Sequence, residues 1–340
     1  MNQYYIGIDL HSNNLHLAMK DQDGKRRLHK KLPCDLNQVL EFLRPYREAI
    51  RTIAVESTYN WYWLVDGLRE HDYPVLLANP AQIHQYQGLK QSKDIDDAYW
   101  LAEMARLDIL PTGYLHDPKL RSVRDLLRRR MLLVHQRTGL ILSFKGLHAR
   151  THGHAPKLAE VKRLAPEEAA AGFEREGDQL AARVQVTLLE HFDEQIALIE
   201  REVLRRVKAT PLFQRLQSIP GIGKILGMTI ALETGDITRF PSPGDFASYC
   251  RTVESKRWSN QKVKGRNNGK CGNRHLAWAF VEAAHCSRRF DERCAAFFEK
   301  KKRQRNTAVA TKALGCKLAK AAWWIMKEGT AYDAGRMFGH

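Results

Sequence analysis

Apolar and polar residues alternate with period two along residues 4–11, YYIGIDLH, which is the side-chain period of a β-strand. Ile6, Ile8 and Leu10 share one face, and Tyr5, Gly7 and Asp9 share the other. Leu15, Leu17 and Met19 then alternate with His16, Ala18 and Lys20. Asp23-Gly24 supplies a tight turn and residues 26–32 read as a third strand, so the chain opens with an antiparallel meander. Asp35 is placed to cap a helix whose Leu36, Val39, Leu40 and Leu43 face the sheet. Residues 52–56, TIAVE, read as a buried fourth strand that ends on an acid, as the first one does. A helix at 60–71, a strand at 73–78 and a helix from Pro80 complete an α/β layer pattern.

Residues 92–98, SKDIDDA, open a further helix with a Ser cap and acids in its first turn, where the helix dipole favours them. Asp94 and Asp97 lie at i and i+3, and Leu101 and Met104 continue their stripe, so both carboxylates are expected to face the sheet. Asp96 points off that stripe. Beyond Asp117 the period becomes helical. Residues 120–147 carry Leu, Val and Arg without proline, and Leu188, Phe192, Ile196, Ile199, Val203 and Val207 recur at spacings of three and four. Two long helices are predicted, paired as a hairpin or with those of another protomer, and homo-oligomerisation is the expectation. The arginines of the first helix, including Arg128, Arg129 and Arg130, read either as a solvated face or as a phosphate rail. His148, His152 and His154 flank a Gly/Pro break and are expected to be exposed.

Charge changes the picture more than composition does. The 340 residues hold 55 Lys and Arg against 38 Asp and Glu, a net charge of +17, which favours a polyanionic partner over a neutral metabolite. Four acids fall within 94–104, whereas the C-terminal third carries most of the basic runs. No apolar run reaches membrane-span length and the N-terminus has no signal-peptide pattern, so a cytoplasmic protein is expected. Six cysteines at wide spacings, with no C-x-x-C pair, support neither zinc nor a disulfide framework.

The candidate chemistry has two parts. A buried carboxylate at Asp9 is costly unless a cation compensates it, although an Asp at a strand end also caps turns. Gly7 leaves room beside it for a ligand or for another backbone. Asp9, Glu56, Asp94 and Asp97 can be drawn to one end of one sheet, and four such carboxylates repel one another unless divalent cations sit among them. Hard oxygen ligands suit Mg²⁺ or Mn²⁺, and a pair of such ions roughly 4 Å apart is a clamp for in-line displacement at a phosphodiester. The second part is C-terminal. Residues 218–224, SIPGIGK, place Gly221 and Gly223 in a turn before a helix N-terminus that can hold phosphate, resembling a helix-hairpin-helix element. Ser259 then sits among Lys256, Arg257, Lys262, Lys264 and Arg266, followed by Asn273 and Arg274. A hydroxyl in that field can attack a phosphodiester and conserve the bond as phosphoserine, or it can simply contact phosphate, and Ser255 competes with it.

The ordered set YIGIDLH, VESTYNWYW, KDIDDA, IPGIGKI and SKRWSNQKVKG…CGNRHLAWAFVEAA resembles the DEDD-type insertion-sequence transposases. The group is the one called IS one-ten, in its IS eleven-eleven branch, related to the pilin-gene invertases. The resemblance implies a RuvC-like (RNase H-like) α/β domain over residues 1–112 with the tetrad Asp9, Glu56, Asp94 and Asp97. It implies an α-helical coiled-coil middle over 113–208, and a mainly α C-terminal transposase domain over 209–340 with Ser259 as nucleophile. It further implies Mg²⁺ or Mn²⁺ on the tetrad, DNA ends and target DNA as substrates, a structured noncoding guide RNA, and a homodimer or homotetramer. Expected nucleic-acid contacts are Lys93, Arg128, Arg129, Gly221, Gly223, Lys256, Arg257, Lys262, Lys264, Arg266, Asn273 and Arg274. Asn260 departs from the glycine common directly after the serine. The alternative is a RuvC-like nuclease that hydrolyses branched DNA with water, Ser259 being a phosphate contact. A non-catalytic RNA/DNA scaffold is disfavoured by four convergent acids, which would repel the ligand.

Overall fold

The computed structural model describes residues 3–83, 94–207, 211–253, 256–259, 262–266 and 271–339. Two compact units emerge, one of residues 1–118 with 269–271 and one of residues 119–268 with 272–340.

The first unit is a five-stranded sheet clothed by helices. Its elements are β1 (Tyr4–Leu10), β2 (Asn14–Asp21), β3 (Arg26–Pro33), α1 (Leu36–Leu43), β4 (Ile50–Glu56), α2 (Tyr62–Glu70), β5 (Val75–Ala78), α3 (Pro80–Ile83) and α4 (Asp94–Arg106). The strand order is β3-β2-β1-β4-β5, with β1, β2 and β3 antiparallel and β4 and β5 parallel to β1. Meander first, parallel crossovers second, is the order expected of a RuvC-like domain. The meander turn is made by Gly24 at φ 79°, a left-handed conformation that glycine adopts without strain. Asp35 caps α1 by accepting from the Asn37 and Gln38 backbone N–H groups.

The two faces of the sheet are chemically distinct. Ile6, Ile8, Leu15, Leu17, Met19, Ile53 and Val55 pack with Val39, Leu43, Leu64, Val65 and Leu68. Each such side chain stabilises the fold by about 1.5–3 kcal/mol. The other face is floored by small residues, with Ala18, Ala54 and Ala78 packed against α4. Gly7 settles between the two expectations for it. A Cβ there would stand 1.9 Å from the Ala98 carbonyl oxygen and 2.6 Å from the Ala102 nitrogen, so the space belongs to the backbone of α4.

The second unit is helical apart from one hairpin. Its elements are α5 (Pro118–His152), α6 (Leu158–Val161), α7 (Pro166–Ala171), α8 (Glu176–Arg206), α9 (Pro211–Leu216), α10 (Lys224–Thr234), α11 (Pro243–Tyr249), β6 (Lys256–Ser259), β7 (Lys262–Arg266), α12 (Arg274–Ser287), α13 (Glu292–Gln304), α14 (Thr307–Glu328) and α15 (Ala334–Phe338). The long helices α5 and α8 pair antiparallel within one chain. Arg130 donates to Glu200 at 2.6 Å, Arg137 pairs with Asp193, and Gln185 donates to Ser143 at 3.1 Å. Val123 and Leu127 pack with Val203, while Ile141, Phe144 and Leu147 pack with Ala182, Val186 and Leu189. The expected stripe starts one residue early, because Leu188 is 41% exposed and Leu189 is buried. Residues 150–180 have no sequence reading. Here Val161, Ala169 and Phe173 close the end of the hairpin. The break falls after His152, which ends α5. His148 stacks on His152 at 4.2 Å and is half-buried, whereas His152 and His154 are exposed.

Around α14, Leu314, Leu318, Ala319, Ala322 and Trp323 form a core with Phe246, Leu276, Phe280 and Phe298. Trp323 Nε1 donates to the Phe240 carbonyl at 3.1 Å. Among the described residues no helix is long and apolar enough to cross a membrane.

Candidate active site

Period two on β1 and the antiparallel register decide which side chains meet. Asp9 lies directly opposite His16 on β2, so the two share the face that α4 covers. β4 runs parallel on the other side of β1, with Ile8 beside Val55, and Glu56 follows at its end. α4, seated on Gly7 through Ala98, brings its first turn to the same end of the sheet. Asp9 is only 5% exposed, and its side chain is hydrogen-bonded to that of Glu56. Burial raises the Asp9 carboxyl above its ordinary value, with the charges of Asp97 and Asp94 adding to the shift and His11 and the Glu56 hydrogen bond opposing it.

The two acids of α4 differ. Asp97 is half-buried, whereas Asp94 is 60% exposed at the rim, its carboxylate still within reach of the histidines at that end of the sheet. Asp94 is the first residue of its helix, while Leu101 and Met104 are buried as expected. Asp96 leaves the group and pairs with Arg26 at 2.9 Å.

Two histidines border the acids and a third stands behind them, a feature the sequence alone does not show. His11 Nε2 stands 3.4 Å from Asp9 and 3.5 Å from Asp94, and His16 Nε2 stands 3.9 Å from Asp94. His16 Nδ1 lies 3.1 Å from His29 Nε2. Burial lowers both His16 and His29 from the ordinary imidazole value. The alternation itself held the signal, since His16 falls on the strand face opposite Leu15 and Leu17. The turn carrying His11 is pinned by Asn60, whose Nδ2 donates to the His11 carbonyl at 2.9 Å. The set of hard oxygen donors around a buried carboxyl of raised pKa fits a divalent cation.

In the second unit, Ser259 is the last residue of β6 and is in register with Lys262, the first of β7. Lys256 and Arg257 lie on β6, and Lys264 and Arg266 on β7. The base of this excursion is closed, because the Asn273 N–H donates to the Tyr249 carbonyl at 2.7 Å and Arg251 donates to the Gly272 carbonyl at 3.0 Å. Gly272, at φ 81°, allows that closure. Lys93, Ser255 and Asn260 lie outside the described residues.

Several expected phosphate contacts have protein partners instead. Arg128 grips Glu233 with two hydrogen bonds of 2.6 and 2.8 Å. Asn273 caps α12 through His275 and Leu276 N–H and donates to Glu233 at 2.7 Å. Glu233 is 1% exposed; burial pushes its carboxyl up, but Arg128 and Asn273 outweigh it and hold the group below the usual range. Burial takes the neighbouring His275 down to about 4. Gly221 at φ 85° packs on α12, a Cβ there lying 2.5 Å from the Ser287 nitrogen. Gly223 begins α10 with open space around it, and Arg129 and Arg274 are exposed.

A buried acidic end on a meander-first sheet, together with a separate helical unit carrying a basic serine hairpin, is the equipment of a DNA-processing enzyme. The comparisons agree with that class. Residues 6–150 match a transposase family of the DEDD IS110 type, and residues 213–299 match the family described as Transposase IS116/IS110/IS902 family. The chain is 27% identical over 348 residues to the "Transposase for insertion sequence element IS1328" of Yersinia enterocolitica, covering 96% of this chain and 98% of that one. It is 25% identical to the "Probable family 20 transposase" of Pseudomonas aeruginosa, covering 98% and 100%. A third relative, the "Transposase for insertion sequence element IS1111A" of Coxiella burnetii, is 26% identical over 83% of this chain and 78% of its own. The protein is a DNA transposase. Both of its matched regions are similar to insertion-sequence transposases of the IS110 type.

Proposed function

We propose that this transposase cuts and rejoins DNA by transesterification through Ser259, assisted by a divalent metal held at Asp9, Glu56, Asp94 and Asp97. The observation that carries the reading is the convergence of Glu56, Asp94 and Asp97 on Asp9, a buried acid whose neighbours include other acids. Such an arrangement is unfavourable in an empty structural role and favourable around Mg²⁺ or Mn²⁺. When bound, the metal supplies charge neutralisation at the phosphate and activation of the attacking oxygen.

The chain's own residues do the rest. Ser259 Oγ attacks the phosphorus of a DNA strand, forming an Oγ–P bond as the P–O3′ bond breaks. The hydroxyl proton passes to solvent or a carboxylate, and the leaving 3′ oxygen takes up a proton. The strand is left with a free 3′-OH and a 5′-phosphate on the serine. In the second step a 3′-OH of another strand attacks that phosphorus and Ser259 regains its proton. No water enters the linkage, so the bond is conserved. Lys262 and the lysines and arginines of the hairpin bind the phosphates, and the excess of +17 supports binding of DNA and of a structured guide RNA. Exposed Arg129 and Arg274 belong to that surface. In this reading α5 and α8 form the coiled coil of a homodimer or homotetramer, and the Gly221–Gly223 turn is a helix-hairpin-helix-like contact to the backbone.

The test is a denaturing gel for a protein–DNA adduct, with Mg²⁺, element-end DNA and co-expressed element RNA. An adduct in wild type that is absent from Ser259→Ala, and retained in Ser255→Ala, is the expected outcome. Metal-dependent cleavage to free ends, with no adduct in any variant, would replace transesterification by hydrolysis.

A further inference from the structure

We infer that His11 and His16 join Asp94 as metal ligands, making the acidic end a mixed imidazole–carboxylate site suited to a first-row transition-metal ion. The inference rests on the reading of that end as a metal centre and names the chemistry of its ion. The first observation is geometric. Ligand atoms of His11, His16 and Asp94 all lie within 4.8 Å of one another. Metal–donor bonds of about 2.0–2.2 Å place donors about 3–4 Å apart, so side-chain rotations alone bring the three onto one ion.

The second observation is an orphan. The His11 ring is 38% exposed, but its Nε2 atom is covered and, among the described residues, makes no hydrogen bond, standing between two carboxylates 3.4 and 3.5 Å away. A buried ring nitrogen without a partner costs free energy unless something occupies the space it faces, and an ion there would remove that cost. The third observation is support from behind. Metal-binding histidines bond through their other ring nitrogen to a second partner that fixes tautomer and orientation. His16 Nδ1 meets His29 Nε2 at 3.1 Å with the rings stacked at 5.3 Å, leaving Nε2 aimed at Asp94. His29 is in turn held against Tyr99, whose ring lies under Arg26. The chain of contacts ends on His16 Nε2, which is free to present a lone pair when Nδ1 donates to His29.

Carboxylates alone suit Mg²⁺ or Mn²⁺, whereas added imidazole nitrogens move preference away from Mg²⁺ toward transition-metal ions such as Zn²⁺ or Ni²⁺, with Mn²⁺ still accepted. Asp9, Glu56 and Asp97 keep their oxygen donors for the same or an adjacent ion. The imidazoles therefore decide which cation is held best, not whether one is held.

The experiment uses full-length protein and Mn²⁺ alone, without DNA. Binding is read from loss of the free-ion electron paramagnetic resonance signal, and coordinated nitrogen from ¹⁴N modulation of the spin echo. Nitrogen modulation is expected in wild type, weakened in His16→Gln and absent from the His11→Gln/His16→Gln double variant. His29→Phe lowers Mn²⁺ affinity about tenfold while sparing Mg²⁺. Bound Mn²⁺ without nitrogen modulation in wild type overturns the inference and leaves the acidic metal centre standing, provided Asp9→Ala abolishes binding. Absence of Mn²⁺ binding in wild type overturns both. The decisive spectrum is that of the unaltered protein, so it does not depend on any variant folding.

Discussion

Among the described residues, two of the buried carboxylates, Asp9 and Glu233, are treated in opposite ways. Asp9 and Glu233 are 5% and 1% exposed. Glu233 is surrounded by groups that want its charge, with Arg128 bonded to both oxygens and Asn273 to one, and its carboxyl is held low. Asp9 has no such partner: burial holds its carboxyl high, with Asp97 and Asp94 adding to the shift and His11 and Glu56 opposing it. A buried acid that the protein has compensated is part of the fold. One left in the company of further acids is waiting for a cation or a proton, and that difference separates architecture from chemistry here.

The comparison is broken most severely at Asp9. Asp9→Asn should lower strand cleavage by at least about a hundredfold. It should leave unfolding stability unchanged or raised, because it relieves repulsion, and urea melts beside cleavage assays check both statements. Loss of stability along with activity would make Asp9 a structural acid like Glu233. Glu233→Ala should do the reverse, destabilising the helical unit by about 3–5 kcal/mol by stranding Arg128 and Asn273. Denaturant unfolding of the variant, with Arg128→Ala/Glu233→Ala as the paired control, reads that cost.

A smaller effect sharpens the role of packing around Asp9. Gly7→Ala places a methyl against the Ala98 carbonyl, so α4 must shift at a cost of about 1–3 kcal/mol. Its acids then move away from Asp9, and metal affinity should fall with stability. The smallest effect concerns pH. His275 is neutral in the fold down to about 4, against 6.5 unfolded. Between those values the unfolded chain takes up a proton that the folded chain does not. Its contribution to stability is therefore complete above 6.5 and lost as pH falls toward 4. His275→Asn should flatten that part of the profile of unfolding free energy against pH.

Much of the first unit was legible because its signals are local. Alternation at Ile6, Ile8, Leu15, Leu17 and Met19, the Gly24 turn and the Asp35 cap each act within a few residues. The strand-end placement of Asp9 and Glu56 followed from the same alternation. Asp94 was less legible, since i, i+3 spacing places it on a stripe without saying how exposed the first residue of the helix is. The histidines were overlooked although His16 lay on the correct face, because His29 and His11 join it only through register and a turn. In the second unit Arg128 and Asn273 read as phosphate contacts in a basic chain. Their true partner, Glu233, lies 105 and 40 residues away from them.

What the sequence alone determined is therefore the order of strands and helices, the faces of the sheet, and the excess of positive charge. These depend on periodicity, capping and composition, which are properties of neighbours along the chain. Only the tertiary structure decided which charges meet. It seated α4 on Gly7 and so gathered Asp94 and Asp97 toward Asp9, set three imidazoles in line beside them, and gave Arg128 to Glu233. Such outcomes depend on a few ångströms of packing between distant segments, and electrostatic energy changes sign with the identity of the neighbour.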